Sequence, residues 1–546
     1  MKKIYILLIF FFSVGGLFSQ ISTAKDLPFR IGANYRIYPG NVTQSEVFIA
    51  KSPVDQNILF TSCNTLNFIP FFISEGIYVT ADGGSSWQGN DTCMGYPIEF
   101  HGGDPGITID KNGTFIITRL GRSPFTGLYS HFSMDNGQTW SSQNVISTDD
   151  LERAALTTDT KPLSPFYGRT YAAWIKFALP FPLMLAFSDD GAQSWSAPEQ
   201  INHPSNRSAG GDIAIGPGGI VYVCWAGVTD VSPFREIFIG FASSTSGGSE
   251  WNITENAFPV NGITGVLSNK ANIRVNGLPA IAVDNTEGQK KGWIYIATGQ
   301  KDLVPAGSDP DIILYRSADG GSTWSEGIRV NQDVLNNGKT QYFPAVHVDK
   351  SGAVNVIFYD DRNTTNDSSG VFLARSKDGG ETWTEFEISD HHFKPTPIGG
   401  LGQGYQGDNI DLTSTDSKLW PVWMDNSTGI YQIWTVPVDY SEVNEISDGN
   451  HSCISVLFQN APNPFYQNTM IRYQISDFSR AVLKVFDYMG REVRTLVDSE
   501  KVPGMYFENF DAAGLSPGIY FYQLQVDEML KTLKMFYSPQ QAPGTL

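Results

Sequence analysis

Residues Tyr315–Gly327, YRSADGGSTWSEG, decide the fold because the chain keeps returning to them. Aligned on tryptophan, five copies share Ser or Thr, Asp two residues on, a Gly-rich pair, and Trp seven residues after the Ser or Thr. They are Thr80–Trp87 with Asp82, Ser133–Trp140 with Asp135, Ser188–Trp195 with Asp190, Ser317–Trp324 with Asp319, and Ser376–Trp383 with Asp378. A sixth, Ser244–Trp251, keeps the frame but has Ser246 in the Asp position. An Asp in a tight turn accepts bonds from following backbone N–H groups, Gly supplies positive φ, and Ser or Thr adds a further local bond. The tryptophans Trp87, Trp140, Trp195, Trp251, Trp324 and Trp383 anchor the next strand in apolar packing. Six copies of one turn make a folding device; chemistry needs one site.

Upstream of each Trp lies a similar series. QYFPAVHVDKSGAVNVIFYDDR gives an inner strand, a tight turn and a second strand; GVFLARS gives a third, and a fourth begins at Trp383. The tryptophans are spaced 53, 55, 56, 73 and 59 residues apart, which is a four-stranded meander repeated with variable loops, the sign of a β-propeller. Seven inner-strand starts predict seven blades, with a six-bladed ring as the alternative. The last blade ends at GIYQIWTVPV without the turn, so FRIGANYRIYP from the N-terminal side is expected to supply its missing strand and close the ring.

Composition agrees with an all-β chain: 546 residues, 13% aromatic and 54 glycines, with little helix-period patterning. The net charge of −19 argues against nucleic acid and anionic membrane surfaces as partners. Lys2, Lys3 and the following apolar run to about Ser19 have the layout of a signal peptide, expected over residues 1–19, and no later run is long enough to span a membrane. Four cysteines are too few to staple the fold; Cys63 and Cys93 flank one hairpin-like region, and the sequence leaves open whether they pair. His391-His392 lacks a second ligand pair at metal spacing, and acidic loops that suit Ca²⁺ show no EF-type pattern, so no metal or cofactor is expected.

The S/T-x-D-x-G-x-x-W turns resemble the Asp-box, or BNR, repeats of the sialidase superfamily, over residues 27–440. The resemblance implies a sialidase-like β-propeller; relatives of this fold include sialidases, other glycoside hydrolases and non-catalytic binding proteins. After a linker at 441–456 the pattern changes to about seven short strands of a small Ig-like β-sandwich, with Leu483 and Val485 alternating before a turn at Met489-Gly490. Residues 457–537 resemble the type A C-terminal sorting domain of type IX secretion through NAPNPF, LKVFDYMGREVRTL, LSPGIYFYQL and Lys531 with Lys534-Met535. That implies the type IX machinery as a partner and export through the periplasm of a Gram-negative bacterium to the cell surface or medium.

In such a ring, the loops leading into inner strands and those between second and third strands share one face, opposite the Asp turns. That face collects Asp104, Arg235, Glu236, Asp360, Arg362, Tyr405 and Asp408, a set suited to a sugar ligand. The sialidase pattern has three arginines on the sugar carboxylate, a Tyr nucleophile assisted by Glu, and an Asp acid/base. Arg30 lies in FRIG, similar to the family's Phe-Arg-Ile-Pro with Gly32 in place of Pro; Arg235, Arg274 and Arg362 are further candidates for the clamp. Tyr405, Glu236 and Asp104 are the candidate catalytic trio, with Asp360 and Asp408 as sugar ligands or an alternative carboxylate pair. The plain alternative is salt bridges for the arginines and packing for Tyr405. Three readings follow: a surface propeller that binds glycans, with or without hydrolysing them, an active exo-sialidase or other glycoside hydrolase, or a non-catalytic protein-binding propeller, with binding preferred over turnover and little or no cleavage of sialosides expected.

Overall fold

The computed structural model describes residues 30–440, apart from 70 and 94–99, and residues 456–538, apart from 459, 461–462, 476–478, 502–503 and 527–528. The expected signal peptide, the 441–455 part of the linker and Cys453 lie outside the described residues. The chain divides into two units, Phe29–Glu442 and a C-terminal one.

The first unit is a ring of seven antiparallel sheets, six of them four-stranded meanders in chain order. Their inner strands are Thr43–Lys51, His101–Ile109, Ala155–Thr158, Arg207–Ile215, Ala280–Val283, Gln341–Val348 and Asp411–Ser414. The expected seven blades are present, and the seventh is closed from the N-terminal side. Tyr35 and Arg36 pair with Thr435 and Trp434 as its outer strand, and Arg30 and Ile31 pair with Asp439 and Val438.

Each repeated turn is built alike. In the first blade Thr80 Oγ1 donates to Asp82 Oδ1 (2.8 Å) and accepts from Gly84 N (2.9 Å), while Asp82 takes Ser86 N (2.9 Å) and Ser86 Oγ (2.6 Å). These bonds to its charged form hold the Asp82 carboxyl at about 2. The same pattern joins Asp135 to Thr139, Asp190 to Ser194, Asp319 to Thr323 and Asp378 to Thr382. Ser246 in the slipped copy still accepts from Glu250 N at 2.8 Å. Gly84 sits at φ +81° under Trp420 of the seventh blade, and a Cβ there would come within 2.1 Å of the ring, so both the turn and the blade contact require glycine.

Apolar cores lie between neighbouring blades. Val47, Ile49, Cys63 and Tyr78 of the first blade pack on Trp420, Val422 and Ile433 of the seventh, while Phe60, Ile77 and Cys93 pack on Ile107 and Phe115 of the second. Cys63 and Cys93 thus point into cores on opposite faces of one sheet, and neither is in a disulfide. Polar staples run beside these cores. Asp411 accepts from Ile49 N across the closing seam at 3.0 Å, and Asp212 accepts from Ile281 N between the fourth and fifth blades at 2.9 Å.

Two long connections lie on the face where inner strands begin. The 260–279 segment carries a hairpin, Gly265–Leu267 with Ile273–Val275. Buried Lys270 fixes it to the sixth blade through Asp361 Oδ2 (2.7 Å), Asn366 O (2.7 Å) and Ser368 O (2.9 Å). The 389–410 segment is held by His391, which lies between Asp390 and Asp425 over Trp434; against the cost of burial, those two carboxylates lift its pKa to about 9.

In the second unit a three-stranded sheet (Val456–Leu457, Asn468–Ile475, Gly504–Asp511) and a four-stranded sheet (Glu492–Lys501, Ser479–Asp487, Gly518–Val526, Met529–Tyr537) enclose Leu483, Val485, Phe510, Tyr522 and Leu524, the expected small sandwich.

Two predictions follow from the ring. Deleting residues 30–38 opens the seventh blade and should abolish the single cooperative unfolding transition of the propeller; an unchanged melting transition contradicts closure by pairing. Lys270→Met leaves Asp361 buried without its cation and should cost about 3–5 kcal/mol in urea unfolding, with most of it recovered by adding Asp361→Asn.

Candidate functional site

The inner strands do not start smoothly. In four blades the register against the second strand slips near the beginning: between Ser45 and Phe48, Gly103 and Gly106, Ala209 and Gly211, and Tyr342 and Ala345. A left-handed residue sits in each slip: Glu46 (φ 54°), Asp104 (φ 57°), Gly210 (φ 50°) and Phe343 (φ 53°). Bulges re-aim side chains, and non-glycine residues held at positive φ gather at functional positions. Glu46 and Asp104 therefore occupy equivalent places in adjacent blades.

Asn64, on the second strand of the first blade, gathers the site. Its Nδ2 lies 3.0 Å from Asp104 Oδ1, 3.2 Å from Tyr405 OH and 3.3 Å from Glu46 Oε2, and its Oδ1 accepts from Asp104 N at 2.5 Å. Two amide hydrogens serve three acceptors, so no carboxylate here is saturated by protein. Tyr405 OH also lies 3.4 Å from Ser45 Oγ. Glu46 Oε1 accepts from Asp408 N at 3.2 Å, and Asp408 forms an ion pair with Arg274. The Arg274 guanidinium stands 5.4 Å from the Tyr405 ring centre, and Arg274 N donates to Gly404 O (2.7 Å), which ties together the two long connections. Asp408 Oδ1 is buried and has no hydrogen-bond partner among the described residues.

Burial, reinforced by Asp104 and Asp408, pushes the Glu46 carboxyl well up. Burial also raises Asp104 and Asp408, the latter against the opposing pull of Arg274. Glu152 joins the group: burial, with Asp104 and Asp408 near it, brings its carboxyl to about 7. Burial and then Glu46 raise Tyr405 well above a free phenol, so it is neutral until a base takes its proton. Arg153 lies 4.4 Å from the Phe48 ring centre and is the second guanidinium beside these acids. Below them runs an axial channel of about 870 Å³ lined by inner strands, with Arg153, Asp408, Asp212 and Asp411 among its walls.

The structure brings together four of the residues expected from sequence for the sugar site, Asp104, Tyr405, Asp408 and Arg274. It separates the others. Glu236 is not beside Tyr405; its carboxylate accepts from Thr264 Oγ1 and from Gly277 N (2.8 Å), tethering the 260–279 connection. Arg362 and Asp360 bind each other, with Glu385 completing the arginine and Gln341 Nε2 (3.1 Å) the aspartate, so neither offers a group to a ligand and Asp360 does not pair with Asp408. Arg30 pairs with Asp439, which also pairs with Lys418 at the start of its strand. Tyr405 and Asp408 lead into the blade at its other end, so Arg30 lies toward the wrong face. Arg235 is exposed, its backbone tied to Thr229 in a rim turn, and no hydrogen bond among the described residues joins it to the acidic group. Glu46, Asn64, Glu152 and Arg153 were missed. Aligning EVFIA at 46 with DPGIT at 104 would have found Glu46.

The same face carries an apolar rim from the loops between second and third strands. Phe71 lies under Arg122 (5.2 Å), Phe125 against Phe100 (4.7 Å), and Phe181 and Phe234 flank Arg207 at 3.9 and 4.5 Å.

No curated protein matches the chain. Among solved structures, a Dyadobacter fermentans protein of unknown function is similar at 13% identity and TM-score 0.44, over 76% of this chain and 99% of that one. A polysaccharide lyase of family PL25, an ulvan lyase, is similar at 12% identity and TM-score 0.47, over 75% and 96%. The leech intramolecular trans-sialidase is similar at 10% identity and TM-score 0.41, over 65% and 70%. Residues 461–537 match the family described as the secretion system C-terminal sorting domain. The second unit is therefore a sorting domain of that family, and it directs the chain through type IX secretion to the surface or surroundings of a Gram-negative cell.

Proposed function

We propose that the propeller binds a glycan at the axial mouth and cleaves a glycosidic bond there, with Tyr405 as nucleophile, Glu46 taking its proton and Asp104 protonating the leaving oxygen. The observation that carries this reading is the convergence of all three on Asn64 Nδ2, which limits Asp104 Oδ1 and Glu46 Oε2 to at most about 6.3 Å apart, the sum of the two contacts. A Tyr nucleophile with a buried Glu beside it forms a covalent sugar–oxygen bond as the leaving oxygen takes the Asp104 proton; water then hydrolyses it, with Asp104 as base. Burial raises the Asp104 carboxyl, which favours its acid form, and Glu46, raised as well, takes the Tyr405 proton from its ionised form, in which a raised carboxyl is the stronger base.

Charge selects the sugar. Four carboxylates, Glu46, Asp104, Glu152 and Asp408, face two guanidiniums, and Asp408 already occupies Arg274. A carboxylate clamp needs several unoccupied arginines acting together, so the mouth suits an uncharged sugar and disfavours a sialic acid. The phenylalanines of the rim give apolar platforms on which further sugar faces can stack.

The wild-type chain should cleave one or more uncharged aryl glycosides or oligosaccharides from a broad panel, and leave sialosides intact. Tyr405→Phe should lower kcat at least a hundredfold while binding to the same glycan on an array persists. Binding without turnover removes the hydrolytic step from the reading, and silence in both assays removes the reading itself. Asp408 raises both Glu46 and Asp104, so Asp408→Asn lowers both pKa values; the bell-shaped kcat/KM profile should move to lower pH on both limbs. A profile that stays in place or moves up would contradict these roles.

A further inference from the structure

We propose that Arg207, on the rim of the axial mouth, binds an anionic substituent, a carboxylate or a sulfate ester, on a sugar beyond the one at the mouth. The inference rests on the glycan reading above and narrows it: the substrate class is a polysaccharide that is uncharged where it is cleaved and charged further along. Arg207 opens the inner strand of the fourth blade, Arg207–Ile215. It stands three residues before Gly210, the counterpart of Asp104, which puts it about 10 Å further along the strand toward the rim.

The first observation is the state of the guanidinium. It packs against two rings, 3.9 Å from the Phe181 centre and 4.5 Å from the Phe234 centre, and among the described residues it forms no hydrogen bond or ion pair. Ring contact uses the faces of a guanidinium and leaves the N–H groups along its edge for an acceptor. Other arginines toward this face are occupied: Arg119 by His131 and Gln143, Arg274 by Asp408, and Arg362 by Asp360 and Glu385. Asp230, in the 229–235 loop that carries Phe234, forms no ion pair with Arg207 among the described residues.

The second observation is the backbone that carries the rings. Phe181 and Phe234 sit at φ 63° and 60°, in equivalent loops between the second and third strands of the third and fourth blades. The same turn sets each one: Phe181 N donates to Ala178 O at 2.7 Å, and Phe234 N to Val231 O at 2.8 Å. A bulky side chain in left-handed backbone is unfavourable, and such residues persist mainly where a site needs them. Two of them turned onto one half-buried guanidinium make a built site. If the rings served only to join the two loops, an apolar side chain between them would do so without bringing a charge out of water. A carboxylate or sulfate presents two oxygens to the free edge of the guanidinium, and exposed Arg235, next to Phe234, adds positive charge to the same loop. Phe71 of the first blade lies across the seven-bladed ring from the fourth, so one chain crossing the mouth reaches both.

The test is binding of matched glycan pairs to the full-length Tyr405→Phe protein: oligouronides against their carboxyl-reduced forms, and sulfated oligosaccharides against their desulfated forms. In one kind of pair the charged member should bind roughly tenfold tighter or more, the effect of one charged hydrogen-bonded contact, and the kind that does so identifies the group. Arg207→Gln, which keeps a planar head against the rings, and Arg207→Ala should each bring that ratio near one while the melting transition stays in place. Arg316→Gln, whose arginine pairs with Glu381 on the face of the Asp turns, should keep it. Equal affinities within every pair would overturn the site, as would a preference that survives Arg207→Gln or variants that weaken both members of a pair alike. Cleavage of neutral chains by the wild-type protein, with no preference for a charged member, removes this inference alone; a preference lost with Arg207 but no cleavage removes only the hydrolytic step.

Discussion

Four backbone residues at the seam, Tyr35 and Arg36 against Thr435 and Trp434, hold the consequences of the whole ring. A single meander cannot cover both of its faces, so each blade depends on its neighbours, and the seventh would be left with an open edge. Closing it there brings the first and seventh blades together around Trp420 and Ile49. It also places Glu46, near the start of the propeller, against Asp408, near its end. The acidic mouth is a product of closure, because its members come from the first, second, third and seventh blades.

How much of this the sequence revealed follows from how local each interaction is. The Asp turns were legible because every bond in them falls within a few residues, so the residue types repeat wherever the shape repeats. The closing strand was legible because a blade without its fourth strand implies a donor. Glu46 was hidden because its role depends on a bulge, a register slip that leaves only a one-residue shift in the alternation of TQSEVFIA. Glu236 and Arg362 look alike with and without partners in sequence; only the fold supplies Thr264 and Gly277 for one, and Asp360 and Glu385 for the other. Cys63 and Cys93 show the same limit, since closeness in a hairpin says nothing about which face each side chain takes.

The site stands in an energetically costly arrangement. Glu46 and Asp104 are held in left-handed backbone, each at a cost of order 1–3 kcal/mol, and several carboxyls are buried close enough to raise one another. A raised carboxyl makes the folded state keep a proton that the unfolded chain releases, so this contribution is fully present below the unfolded pKa. It is lost as pH rises through the folded value, for Glu152 between about 4.5 and about 7. A fold does not gather such groups for stability; they persist because the inter-blade cores, the seam and the Asp turns outweigh them. The exposed Asp turns have their pKa values displaced the opposite way, down to about 2 at Asp82, and stay ionised across the same range. The two faces of the ring thus use the same residue type in opposite electrostatic states.

The most direct measurement of the central claim is the crystallographic position of a bound oligosaccharide, soaked into the Tyr405→Phe protein so that it is not turned over. The account predicts a sugar ring at the axial mouth, over residue 405, with hydroxyls within hydrogen-bond distance of Asp104, Glu46 and Arg274, and the chain extending toward Phe71 and Phe125. Sugar bound only on the outer strands or on the face of the Asp turns, with the axial mouth empty, would contradict it.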